Sequence, residues 1–112
     1  MVVMGVDVVL MQVNQPGTSP KRRRLTMVDV VLDSSDLFAT VCERSKLPML
    51  SRVDPYRTLI LTPAEMPQLV AEVDAELGLA TAKTERELLT DIRRLADRCA
   101  AEASTELHLA GD

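Results

Sequence analysis

Two valine-rich segments with the same five-residue core constrain the fold of this chain most strongly. The sequence VDVVL occurs at residues 6–10 and again at residues 28–32. Both segments are rich in β-branched residues and too apolar for a helix with one solvated face, which is typical of β-strands. Residues 14–20, NQPGTSP, lie between them and favour a turn. The sequence therefore predicts a β-hairpin made of residues 2–13 and 25–33.

Side chains alternate between the two faces of a strand, so this hairpin predicts one aliphatic face and one mixed face. We expect helices to cover the aliphatic face, which carries Val6, Val8, Leu10, Val28, Val30 and Leu32. The mixed face carries two carboxylates among apolar side chains: Asp7, Val9, Met11, Val13, Leu25, Met27, Asp29 and Val31. If uncovered, it would expose more apolar surface than a monomer usually leaves in water.

We therefore expect an interface on the mixed face, formed by Asp7, Val9, Met11, Met27, Asp29 and Val31. A second copy of the chain is the simplest partner, because one self-complementary patch is enough to build a two-fold dimer. The alternative is that a helix or the amino-terminal residues of the same chain fold over this face. The two aspartates suggest a cation site only weakly, because a metal ion would need more oxygen ligands, and we predict no metal.

The rest of the chain predicts three helices and two further strands. Ser34, Ser35 and Asp36 offer side-chain oxygens for the start of a helix that runs to about Ser45. A short strand at residues 57–61 leads into residues 62–65, TPAE, a capping box with proline at the first helical position.

Gly78 is placed to end the second helix. A second capping box at residues 84–87 opens the longest helix, and residues 105–110 alternate as a terminal strand. The element order is thus β-β-α-β-α-α-β. We predict an α+β fold with a single domain over residues 1–112, a two-layer sandwich whose mixed sheet of about four strands has helices on one face.

Composition and charge narrow the class of protein. The chain has 17 acidic and 13 basic side chains, a net charge of −4, so general attraction to nucleic acid or to an anionic membrane is not expected. The apolar residues 1–13 are interrupted by Gly5 and Asp7, lack a basic leader and are shorter than the ~20 residues that a bilayer span needs, so we expect neither a signal peptide nor a membrane anchor. Cys42 and Cys99 both fall in predicted helices, which favours free thiols in a reducing, cytoplasmic compartment.

One run of basic residues, Lys21 to Arg24, is a candidate for phosphate contacts. It lies in the predicted turn, where no helix would project it into a nucleic-acid groove. Phe38 and Tyr56 are the only aromatic residues of the chain, so no platform for stacking bases is expected. A solvated hairpin tip is the favoured interpretation, and nucleic acid is not an expected partner.

The segment from Leu47 to Arg57 is the most distinctive loop. It contains Arg52, Asp54, Tyr56 and Arg57, and arginine and tyrosine are the residue types that dominate binding surfaces. We predict that these four residues bind a ligand or partner. The alternative is a structural loop in which Met49, Leu50 and Val53 plug the ends of the helices while Arg52 pairs with Asp54.

No catalytic motif is visible in the sequence. His108 is the only histidine, and no nucleophile lies at a fixed spacing from it. Glycine-rich phosphate loops, zinc-binding spacings and nucleophile elbows are also absent from the sequence. We predict no cofactor and no catalytic residues, and the residues favour a protein without enzymatic activity while leaving an enzyme open.

Three segments, SSDLFATV at residues 34–41, LPMLSRVDPY at residues 47–56 and LHLAGD at residues 107–112, resemble a group of small uncharacterised α/β proteins from high-GC actinobacteria. The resemblance implies no activity, cofactor or catalytic set. In such proteins we expect aromatic residues in the terminal strand, where this chain has His108 and Leu109.

The sequence thus predicts a non-enzymatic cytoplasmic domain that binds proteins and self-associates as a homodimer. An inhibitor or immunity-like protein that masks a basic partner is one form of this prediction, because the second half of the chain is acidic. The alternative is a small-ligand binding or catalytic domain that uses the loop Arg52 to Arg57.

Overall fold

The computed structural model describes residues 5–14, 24–33 and 35–111. These residues form four strands and three α-helices in the predicted order, so the fold is α+β. The strands are β1 (Asp7–Asn14), β2 (Arg24–Val31), β3 (Thr58–Leu61) and β4 (Thr105–Ala110), and the helices are α1 (Leu37–Arg44), α2 (Met66–Leu79) and α3 (Lys83–Ala101). The predicted turn, the basic residues 21–23 and Ser34 lie outside the described residues.

The four strands form an open sheet in the order β2-β1-β4-β3, and each neighbouring pair is antiparallel. The prediction of a mixed sheet was therefore wrong. The connection between β3 and β4 explains the difference. A single helix between two strands returns the chain to the same edge of the sheet, so the second strand runs parallel to the first. Here two helices, α2 and α3, lie between β3 and β4, so the chain enters β4 from the other edge and β4 runs antiparallel to β3.

The hydrophobic core lies between one face of the sheet and the helices. The sheet contributes aliphatic side chains that are almost fully buried, and the helices oppose them with Phe38, Val41, Leu69, Val73, Leu89, Ile92 and Leu95. The sheet residues of this core are Val6, Val8, Leu10, Val31, Leu61, Leu107 and Leu109. Among the described residues, none of the helices has the length and apolar character that a bilayer span requires.

A β-bulge in β2 changes the predicted hairpin register. Leu10 lies opposite Asp29, but the next residue, Met11, lies opposite Met27, so Val28 has no partner across the strand. Because each residue of offset moves a side chain to the other face, Asp29 and Val31 lie on the helix side, contrary to the prediction. Val30 lies on the opposite side, and Val28 and Leu32 are 39% and 64% exposed instead of covered by helices.

The start of α1 depends on Asp33, and of the predicted residues Asp36 supplies no side-chain cap. Its buried carboxylate accepts hydrogen bonds from the amides of Phe38 and Ala39, at 3.0 and 2.9 Å, and from the amide of Val6 at 3.0 Å. Asp36 takes the N-cap position with a left-handed backbone, φ 58°, and its side chain accepts no capping hydrogen bond. One carboxylate therefore joins the start of α1 to the residue before β1.

Of the two predicted capping boxes, one forms. The amide of Thr62 donates to Glu65 Oε1 at 2.9 Å, and Pro63–Glu65 makes a 3-10 turn that leads into α2. The second is absent, because α3 begins at Lys83 with Ala82 as its N-cap. Gly78 does not end α2 as predicted; the helix continues to Leu79.

The guanidinium of Arg86 closes the end of α2. Its Nη1 donates hydrogen bonds to the carbonyl oxygens of Leu77 and Ala80, at 2.7 and 3.1 Å. These carbonyls would otherwise lack partners at the helix end, so a left-handed glycine is not required there.

Candidate functional site

The side of the sheet that faces away from the helices carries a continuous set of side chains from all four strands. Residues directly opposite each other on neighbouring strands share a face, and the register links Val9 to Val30 and His108, Met11 to Met27 and Glu106, and His108 to Ile60. We call this surface the outer sheet face, formed by Val9, Met11, Val13, Leu25, Met27, Val30, Ile60, Glu106 and His108.

The outer sheet face is apolar at its margins and charged near its centre. Leu25, Met27 and Ile60, on the two edge strands, are 43%, 57% and 47% exposed. None of the three belongs to the hydrophobic core or to the partly buried residues packed on it. The predicted exposure of apolar side chains on this face is present for Met27, and Met11 is partly exposed. Val9 is buried, with only 7% of its surface exposed, so the prediction was wrong there.

Glu106 and His108 form a side-chain pair near the middle of this face. Nε2 of His108 lies 2.9 Å from Oε1 of Glu106, and the two residues are only 8% and 6% exposed. Both belong to the central strand β4, so the side chains of β1 and β3 flank them. Two residues that are two positions apart in a strand share a face; this spacing is the signal that sequence reasoning overlooked.

Asp7 and Asp29 do not lie together. Asp7 lies on the outer side, opposite Ala110, and its carboxylate accepts the amide of Asp33 at 2.8 Å. Asp29 lies on the helix side of β2, so the two carboxylates cannot share a cation. Among the described residues, no group of three or more histidine, cysteine, aspartate or glutamate side chains is arranged to hold a metal ion.

Asp29 instead joins β2 to the longest helix. Its Oδ2 accepts hydrogen bonds from Nη1 of Arg94 and Nη1 of Arg98, at 3.1 and 2.8 Å, while Oδ1 accepts the amide of Val30 at 2.8 Å. These hydrogen bonds and the two positive charges lower the pKa of Asp29 below its ordinary value. The spacing of Arg94 and Arg98 by one helical turn places both on one side of α3.

A glutamate of α2 binds the backbone of the loop that follows α1. The buried carboxylate of Glu72 accepts the amides of Met49 and Leu50 at 3.0 and 2.9 Å. Met49 and Leu50 are almost fully buried, and Val53 packs on the core. The predicted plugging role of these three residues is confirmed, which makes this part of the loop a structural element.

The four predicted binding residues of the loop lie at its exposed end. Asp54 Oδ1 accepts the amide of Tyr56 at 2.8 Å, and Arg57 Nε lies 4.0 Å from Asp54 Oδ2. Tyr56 is 70% exposed, and Arg52 makes no ion pair with the residues that the structure describes, so the expected Arg52–Asp54 pair is not present. The geometry brings these side chains together in an exposed turn, and their binding role stays a prediction.

Gly111, directly after β4, contacts this turn. The amide of Gly111 donates to the carbonyl of Arg57 at 2.9 Å. A side chain at Gly111 would meet the backbone of Pro55 at 2.3 Å. The close approach fixes the end of β4 against residues 54–57, so the loop has a second structural function.

Both cysteines are free and buried. Burial, with smaller contributions from Asp33 and Glu76, raises the pKa of the Cys42 thiol to about 12. Burial also raises the pKa of Cys99. Because the thiolate is the nucleophile and the metal ligand, neither thiol is suited to catalysis.

Comparisons with protein-family models, with curated proteins and with solved structures found no match. The resemblance to small actinobacterial proteins therefore stays a prediction.

Proposed function

We propose that this chain is a non-enzymatic, cytoplasmic interaction domain that forms a homodimer through its outer sheet face. The exposure of Leu25, Met27 and Ile60 around the Glu106–His108 pair is the observation that supports this proposal. A set of apolar side chains on a flat sheet gains from exclusion of water when a second sheet packs on it at about 10 Å.

A second copy is the partner that the surface itself favours. A two-fold axis uses the same patch on both subunits, so the apolar margins of each copy meet those of the other without a second complementary surface. The net charge of −4 on each copy opposes close approach. Contact must therefore depend on the apolar margins of this face, at Leu25, Met27 and Ile60.

The size of the face sets the expected strength of the dimer. Strands of four to eight residues in a four-stranded sheet cover an area of about 20 Å by 20 Å. Val9, Glu106 and His108 are already buried within one copy, so a dimer would newly bury less than about 400 Å² on each copy, against about 800 Å² in an average stable interface. We therefore expect a weak dimer, with a dissociation constant on the order of micromolar.

Sedimentation equilibrium of the full chain across micromolar concentrations tests this proposal. Wild-type protein should show a monomer–dimer equilibrium, and Ile60→Lys should shift it to monomer, because a charged side chain would be buried in the apolar contact. Leu79→Lys is the matched control, because Leu79 is 73% exposed at the end of α2, away from the sheet.

A wild-type chain that stays monomeric at high micromolar concentration would refute the homodimer. Equal loss of association in Ile60→Lys and Leu79→Lys would show that another surface mediates it. Thermal unfolding of both variants verifies that each is folded, so that loss of association is not mistaken for loss of structure.

A further inference from the structure

The exposed edge of β2 combines an open strand with a stripe of positive charge. β2 is the longer of the two edge strands, with eight residues against four in β3. An edge strand presents backbone donors and acceptors that a further strand can pair with. Residues 24–28 are all exposed, so this part of the edge is accessible to a partner.

The part of the β2 edge beyond the bulge, at Asp29 and Val30, is less available for pairing with a further strand, because a side chain already occupies a backbone donor there. The amide of Val30 donates to the side chain of Asp29 on the side away from β1. This hydrogen bond removes a donor from the open edge, and Arg94 and Arg98 hold the Asp29 carboxylate in place. An added strand would therefore pair along residues 24–28.

The positive charge lies on the helix side of this edge. Arg94 and Arg98 contact the same oxygen of Asp29, and their side chains remain 50% and 41% exposed, so other guanidinium donors are free. Arg24 is exposed and lies opposite Asn14, on the same side. Asp29 is the one described carboxylate that forms an ion pair with any of these three arginines, and Asp97, which lies beside Arg94 and Arg98, pairs with Arg93 instead. The arginines therefore leave a small excess of positive charge at this edge, on a chain whose net charge is negative.

The opposite side of the same edge is apolar. Leu25 and Met27 are 43% and 57% exposed and lie on the outer sheet face. Successive residues of an added strand would alternate between the two sides. Residues that point to the helix side would approach the arginines, and residues that point to the other side would contact Leu25 and Met27.

We propose that the β2 edge binds an extended peptide segment in which acidic and apolar residues alternate, added as a fifth strand beside residues 24–28. The carboxylates of the segment pair with Arg24, Arg94 and Arg98, and its apolar residues extend the outer sheet face. The β2 edge of a second copy is a poor occupant, because it would bring the same arginines against each other.

Nucleic acid is the competing class of ligand for an arginine-rich surface. The open backbone and the apolar side chains of this edge match a peptide, whereas phosphates would use the arginines alone. Phe38 is fully buried and Tyr56 belongs to the turn before β3, so no aromatic side chain is available beside β2 to stack on a base.

Fluorescence anisotropy with a labelled peptide of alternating valine and glutamate tests this proposal. The double variant Arg94→Gln/Arg98→Gln should bind it at least about tenfold more weakly, because two charged hydrogen-bond donors are lost. Arg93→Gln is the matched control: Arg93 lies on the same helix, but its guanidinium pairs with Asp74 and Asp97. Binding by the control should be unchanged.

Two further probes identify the mode of binding. A peptide of the same composition with clustered glutamates should bind more weakly, because it cannot place charge on one side and apolar residues on the other. Equal binding of the two peptides, or preferential binding of a single-stranded oligonucleotide, would overturn the proposal. In NMR spectra the alternating peptide should shift the amide signals of residues 24–28 and leave those of residues 58–61 in place; the reverse pattern would also overturn it.

Discussion

The carboxylate of Glu72 accepts the backbone amide of Leu50 at 2.9 Å, and both residues are shielded from water. The same carboxylate accepts the amide of Met49 and the side-chain amide of Gln68. A charged acceptor on α2 therefore fixes the 3-10 turn Leu50–Arg52 against the helical layer, and it satisfies buried amides that have no partner in a strand or an α-helix.

Replacing Glu72 by glutamine should destabilise the chain. The variant keeps one acceptor oxygen for the amides of Met49 and Leu50, which share Oε1, but it loses the negative charge and places a donor where the amide of Met49 and the side-chain amide of Gln68 donate to Oε2. The expected loss is about 1.5–3 kcal/mol in the free energy of unfolding, measured by urea denaturation. Glu43→Gln, at an exposed position of α1, is the control and should change stability by less than about 0.5 kcal/mol.

Two glycines should respond in opposite directions to replacement by alanine. A side chain at Gly111 would meet the backbone of Pro55 at 2.3 Å, whereas one at Gly78, inside α2, would meet nothing within 4 Å. Gly111→Ala should therefore lose about 1–3 kcal/mol through overpacking. Gly78→Ala should gain about 0.5–1 kcal/mol, because alanine favours a helix interior.

Thermal or urea unfolding of the two glycine variants gives the measurement. A neutral Gly111→Ala would mean that the end of β4 does not seat against residues 54–57. A destabilised Gly78→Ala would mean that this position needs a conformation that alanine resists, as expected if glycine ended the helix.

Sequence patterns predicted the elements of this fold well because each depends on local residues. The valine-rich segments form β1 and β2, and the alternating residues 105–110 form β4. The β-bulge at Val28 was not visible, because the hairpin register depends on Arg94 and Arg98, which are more than sixty residues away from Asp29. A local pattern contains no information about such a partner.

The candidate site was predicted only in part for the same reason. Alternation places Val9, Met11 and Met27 on the outer sheet face, but which strands lie beside them depends on the whole sheet. Ile60 and the Glu106–His108 pair join the face because β4 inserts between β1 and β3. The loop residues Arg52 and Tyr56 had suitable chemistry, yet Glu72 and Gly111 position that loop from distant parts of the chain.

The stability contributed by Asp29 should depend on pH. Its pKa is lowered in the folded chain by the hydrogen bond from Arg94, by the amide of Val30 and by the charges of Arg94 and Arg98. A lowered pKa stabilises the fold above the ordinary value of 3.8, and the contribution is lost as the pH falls through the lowered pKa. Asp29→Asn should therefore be less stable than wild type at neutral pH.

Urea denaturation of wild type and Asp29→Asn from neutral to acidic pH measures this dependence. The difference between them should begin to shrink as the pH falls below 3.8, where the unfolded chain takes up a proton at Asp29. It should vanish below the lowered pKa, where the folded wild-type chain also carries a neutral group at this position. Added salt should also reduce the difference at neutral pH, since the arginines are partly exposed. A difference that stays constant with pH would show that the carboxylate charge makes no contribution.

The two thiols should be unreactive in the folded chain at neutral pH. Cys42 and Cys99 are 4% and 0% exposed, and burial raises both pKa values, that of Cys42 to about 12. The folded state therefore favours the neutral thiol. For Cys42 this contribution to stability is complete below the ordinary pKa of 9.0, and it is lost as the pH rises from there towards 12.

A thiol-specific chromogenic reagent at neutral pH should modify neither cysteine in native protein and both in urea, so the rate of modification should follow global unfolding. Rapid reaction of one thiol in native protein would show that α1 or α3 opens locally without unfolding of the sheet.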